Sequence, residues 1–221
     1  SLLNSADIYD YVRMTGMVHP FYPDKIKSAS YEAGIRGACI WWDEKGEQHK
    51  EDLNEKGKVV TLNANSIAFV QIESFFRLPD YIALRFNLKI THVHRGILLG
   101  TGPLVDPGFV GRLLIPLHNL TTNPYRFVFG EGLIWIEFTK TSWPPPNSES
   151  KSNTATVSRK GSYRGFPPNK KDLPPGEYLH RASQQLPIRS SIPDVGRESR
   201  EFAKEAKDRV EAVENRVRNY S

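Results

Sequence analysis

Between Ser30 and Phe138 the chain breaks into short, β-rich apolar segments cut at close intervals by Gly57, Pro79, Gly96, Gly108, Pro124 and Gly130. Residues that force turns separate these segments at close spacing, which is the signature of an all-β barrel or sandwich. The expected strands are 38–42, 58–62, 68–74, 82–94, 112–119 and 132–138.

Within this region the run from Gly102 to Asn119 is the most informative. Pro107 presets φ and Gly108 tolerates φ > 0, the combination a type II turn requires, and Asp106 just before them is placed to accept backbone N–H groups at a strand end. Leu113 to Leu117 then reads as a strand buried on both faces. Pro116 interrupts it, and because proline cannot donate to a ladder this strand is expected to lie at an edge or a bulge at that point.

The remainder of the chain qualifies the picture. With 221 residues, 38% of them hydrophobic, there is material for one substantial core with appendages. The single cysteine, Cys39, excludes an internal disulfide framework, and no apolar run approaches the ~20 residues of a spanning helix. With nothing at the N-terminus like a secretory leader, the expectation is a soluble, cytoplasmic chain without a membrane segment. Residues 1–142 hold 15 basic and 15 acidic side chains, so the whole net charge of +5 lies beyond them. A neutral globule offers no broad nucleic-acid surface, whereas a basic tail suits phosphate or a protein partner.

The two ends carry the helical signals. Ser5 to Met14 reads as a short helix capped by Ser5 or Asp7 and stopped by Gly16. Beyond Trp143 the composition changes to proline, serine and asparagine, nine of the 16 prolines lying there, which implies an extended basic arm over 143–196. A helix follows over 197–221. Its Ala203, Ala206, Val210, Val213, Val217 and Tyr220 alternate spacings of three and four, the seam of a coiled coil, with Glu205–Arg209 and Glu214–Arg218 as i,i+4 supports. That helix is expected to engage a coiled-coil or protein partner.

Several segments, in order, resemble the superfamily of deoxycytidine triphosphate (dCTP) deaminases and deoxyuridine triphosphatases. Asp7 to Gly16 is similar to its opening helix, and Ser28 to Gly37 to its first motif, with Glu32 where the family usually has aspartate. Phe76 to Phe86 matches a leucine-proline-aspartate turn and the strand that leads into the second motif. Thr101 to Gly111 resembles the third motif, Asn119 to Pro124 the turn after it, and Gly130 to Phe138 the closing strand. The resemblance covers roughly residues 5–140 and implies a dUTPase-like distorted β-barrel or jelly roll, the expected fold for residues 1–142.

It also implies a site, with departures. The family's arginine and two serines of the second motif, which bind phosphate, correspond to Lys89, Ile90 and Thr91, so a guanidinium fork becomes a point charge and one hydroxyl is lost. A later arginine of the deaminases falls at His94, beside Arg95, and a common glutamine at Trp135. The glutamate that activates water for deamination corresponds to Pro116. Asp106 matches the acid that activates water in the triphosphatases, usually with Mg²⁺ carried by the substrate. The implied nucleotide-binding set is therefore Lys89, Thr91, His94, Thr101 and Asp106, joined by Lys160, Tyr163 and Arg164 from a C-terminal segment that closes over the nucleotide. Homotrimerisation, with sites between subunits, is implied as well. The leading expectation is a trimeric nucleotide-binding module without deamination, for sensing or assembly. Its rivals are an active deaminase or dUTP diphosphatase using Asp106, and a purely structural trimerisation platform. His92 and His94, if both lie on a strand, share one face near His118, but ordinary polar histidines are the expectation there and no bound metal.

Overall fold

A computed structural model of the chain describes residues 1–99, 102–141 and 165–219. Helix α1 (Ser5–Thr15) opens the fold. Its cap is Asn4, whose side chain accepts from the Asp7 N–H at 3.0 Å, in place of Ser5 or Asp7, the caps expected from sequence. Gly16 ends it in the left-handed conformation, φ +65°, and Ile8 and Val12 form the buried face.

Eleven strands follow in the described residues: β1 (Val18–His19), β2 (Tyr31–Trp42), β3 (Gln48–Leu53), β4 (Val59–Leu62), β5 (Ser66–Arg77), β6 (Ile82–Leu88), β7 (Ile97–Leu98), β8 (Leu104–Val105), β9 (Val110–Asn119), β10 (Tyr125–Val128) and β11 (Gly132–Lys140). All pairings are antiparallel, in the order β7-β9-β5-β2-β11-β6-β8, with β1 on β5, β3 on β2, and β10 with β4 as a separate ribbon. The long β2 carries the curl. Its first residues pair with β11 and its last with β3, while its other edge pairs with β5 across a bulge. Gly37 sits in that bulge at φ +110°, and Gln71 Oε1 occupies the space a Cβ would need while accepting from the Ala38 N–H.

Strands β5 and β9 alternate buried and half-exposed residues almost without a break, so one face of each enters a single core. Tyr31, Ile35, Ile72, Phe76, Ile115, Phe127, Ile136 and Phe138 are among its members, together with Ile8 and Val12 from α1. The result is mostly β, a curled antiparallel half-barrel with helices at both ends, as the sequence implied. Pro116 pairs with Phe69, and on the far side of β9 the two residues of β7 reach only His118 and Asn119. At Pro116, therefore, no described strand asks for the missing N–H, the edge position expected for it.

Two segments differ from the sequence reading. The strand expected over 82–94 stops at Leu88, and Ile90–Val93 forms a helical turn, α2, capped by Lys89. The Lys89 N–H bonds the Leu133 carbonyl at 2.9 Å and the next amides turn back onto Lys89 and Ile90, which ends the ladder. In addition, part of the stretch read as an extended arm folds back. Phe166 meets Phe109 edge-on at 5.7 Å, the Asp172 N–H bonds the Val110 carbonyl, and α3 (Pro175–Ser183) buries Leu179 against Ala38, Ile40, Trp42, Phe69 and Leu114. The last helix, α4 (Ile192–Asn219), starts five residues before the expected boundary. No described helix is long and apolar enough to cross a membrane.

Candidate functional site

Three neighbouring strands build the face on which Lys89 lies. Register pairs Glu32 of β2 with Trp135 of β11, and Trp135 with Asn87 of β6, so the three side chains form one row across the sheet. Lys89 follows Asn87 by two residues and thus emerges on the same face. Its Nζ donates to Glu32 Oε2 at 2.7 Å and lies 5.2 Å from the centre of the Trp135 ring, with Lys27 Nζ at 6.0 Å from that ring. Both partners of the ion pair are about one-fifth exposed. Gly132 makes the arrangement possible, since a Cβ there would overlap the Glu32 carboxylate.

Behind this row His92 locks the backbone. It is 2% exposed; Nε2 contacts the Gly132 carbonyl at 2.8 Å and Nδ1 the Tyr125 hydroxyl at 2.6 Å. A carbonyl only accepts, so Nε2 carries the hydrogen, and Tyr125 O–H donates to Nδ1 while accepting from Arg95 at 3.5 Å. Both ring nitrogens are thereby used within the fold. Because α2 is a helical turn, His92 and His94 do not share a strand face: His92 is buried and His94 exposed.

Thr91 and His94 stand exposed on α2, and neither side chain hydrogen-bonds among the described residues. Asp106 lies elsewhere. The Phe109 N–H reaches back to the Asp106 carbonyl, and Gly108 at φ +81° supplies the third position of the expected type II turn. The Asp106 carboxylate itself is exposed and accepts no backbone N–H from the described residues, in contrast to the capping role expected for it. Since Val105 pairs with Leu84 and Lys89 lies five residues further along, about 17 Å of strand separates the two candidate groups. A single chain thus presents two half-sites: Lys89 with its row, and Asp106 in the turn whose Gly108 packs against Phe166. Thr101, Lys160, Tyr163 and Arg164 lie outside the described residues.

Sequence reasoning placed Lys89 but missed its engagement by Glu32. The two are far apart in sequence, and the only signal was that both fell in motif positions of the resemblance. No resident metal is suggested near Asp106. Among the described residues the one grouping of acids and imidazole at ligand distance is Asp43, Glu47 and His49, on the β2–β3 turn. There Asp43 already accepts from the Lys45 and Glu47 amides and from His49, which hold its carboxyl below the usual carboxylate range.

No protein-family model matches the chain. The dCTP deaminase of Pyrococcus horikoshii is 27% identical over 145 residues, covering 63% of this chain and 85% of that enzyme. That of Campylobacter jejuni is 28% identical over 109 residues, 49% of this chain and 54% of the enzyme, so the match spans about half of that relative. In structure, the dCTP deaminase of Agrobacterium tumefaciens superimposes with a TM-score of 0.50 at 14% identity, over 62% of this chain and 48% of that one. Together with the curled β fold and the ordered motif segments, these likenesses support a place for the chain in the dCTP deaminase/dUTPase superfamily.

Proposed function

We propose that the chain is a nucleotide-binding member of its superfamily that does not deaminate, acting as a trimeric module for sensing or assembly. The carrying observation is strand β9. Deamination needs a base within hydrogen-bond reach of the water it activates. From Val110 to Asn119 the strand bears no carboxylate, and the position corresponding to the deaminases' glutamate is a half-buried proline between Ile115 and Leu117.

The separation of the half-sites supports the trimer. Lys89 and Asp106 serve one ligand only if a second copy brings its Asp106 end to the Lys89 row. Mg²⁺ then arrives with the phosphates, whose oxygens are among its preferred ligands. The exposed Asp106 carboxylate favours one secondary reading, hydrolysis of deoxyuridine triphosphate (dUTP) with Asp106 as base.

Because Glu32 holds the Lys89 ammonium, a triphosphate must displace it. Titration calorimetry with dCTP and dUTP in Mg²⁺ buffer is therefore expected to show weak binding that Glu32→Gln strengthens about fivefold, the release of roughly 1 kcal/mol of ion pairing, and that Lys89→Ala abolishes. Equal affinities in all three proteins contradict the assignment of Lys89. No heat with any of them favours the empty platform.

A further inference from the structure

We propose that α4 pairs with the α4 of other copies of this chain as a parallel, in-register coiled coil. This deepens the trimeric reading above and rests on it. The 28-residue helix is about 42 Å long, and every residue from 197 to 216 is exposed. That exposure includes Phe202 at 76%, Val210 at 57% and Val213 at 59%, an apolar stripe that no described element of its own chain covers. Its base is fixed: Asp194 in the first turn pairs with both Arg189 and Arg197 at 2.7 Å.

Charge selects the occupant and its direction. With Ala203 and Val210 as the first seam position of each heptad and Ala206 and Val213 as the fourth, the flanks are Phe202, Arg209 and Arg216 on one side and Lys207 and Glu214 on the other. In a parallel pair each residue of the first flank meets the one five positions on in its neighbour. Phe202 then lies beside Lys207 of the next copy, where an ammonium finds an aromatic face, and Arg209 faces Glu214 of the next copy. An antiparallel pair instead sets the arginine flanks against each other. The helix thus complements a parallel copy of itself and opposes an inverted one.

The seam is short, and its first half is alanine, so it cannot hold a complex together alone. Attachment to a barrel that already associates changes that, because linkage raises the local concentration of the helices.

The test introduces cysteines into the full chain, Ala206→Cys on the seam and Asp208→Cys on the outer face, with mild oxidation read on denaturing gels and light scattering in parallel. The native Cys39 does not compete, being fully buried with its thiol pushed up to about 12. The expected result is a trimer in which A206C cross-links readily and D208C does not. At low salt Arg209→Glu should slow cross-linking of A206C by about fivefold, and the exchange Arg209→Glu with Glu214→Arg should restore it. A trimer in which A206C fails to cross-link, or D208C matches it, overturns the coiled coil and leaves the trimeric reading standing. Faster cross-linking with R209E overturns the parallel direction, since it relieves an arginine contact. A monomer by light scattering overturns the trimeric reading and this proposal with it.

Discussion

Asn119→Ala should destabilise the protein by about 3 kcal/mol or more, lowering the melting temperature by roughly 6–12 °C. The residue is fully buried at the end of β9, where it pairs with both Ser66 and Ile97. Its Nδ2 donates to the carbonyls of Leu62, Asn63 and Asn123 at 2.8–3.2 Å, and its Oδ1 accepts from the Thr121 amide and hydroxyl. One amide therefore ties the β4–β5 turn to the loop that leads into β10. Alanine strands these groups away from water. Asn119→Asp should be worse, because it keeps the acceptors for Thr121 but sets a carboxylate against three carbonyls. Chemical denaturation of the two variants checks the order, and a loss below about 1 kcal/mol for alanine contradicts it. The same burial excludes Asn119-Leu120-Thr121 as a glycosylation site.

His92→Leu is expected to cost about 3 kcal/mol by a related mechanism, leaving the Gly132 carbonyl and the Tyr125 hydroxyl without their buried partner. Tyr125→Phe removes only the second of these contacts and should cost about 1 kcal/mol. In the double variant the two costs should fall short of additive, since each single change already breaks the shared hydrogen bond. Strict additivity in denaturant melts contradicts the bond. The effect bears on the candidate site, because Gly132 is the residue over which Glu32 and Lys89 meet.

How much of this was legible depended on whether local pattern or tertiary contact decided the structure. The β character of β5 and β9 is written in the sequence, although 113–117 read as buried on both faces whereas Leu114 and Pro116 are only half-buried, and the Pro107-Gly108 turn has the residues its backbone demands. Strand β3, Gln48–Leu53, was not legible, because five of its six residues are polar and it exists by pairing with β2. Ile90 and Thr91 favour strands, yet the amides of His92, Val93 and His94 turn back onto the Lys89 and Ile90 carbonyls, which ends the ladder before them. Helix α3 carried a signal that proline-rich composition masked: Pro175 occupies a first-turn position, where a missing N–H is harmless. For the candidate site, the resemblance singled out Lys89 and Asp106, but no spacing rule could reveal that Glu32 pairs with the first or that the two stand at opposite ends of β6.

Binding without deamination is decided by the nucleotide products. The full chain, incubated with dCTP and Mg²⁺ and resolved by chromatography against dUTP and ammonia standards, is expected to return dCTP as supplied. Formation of dUTP with release of ammonia, in proportion to the protein added, would contradict the claim and show that water is activated by a group other than one on β9.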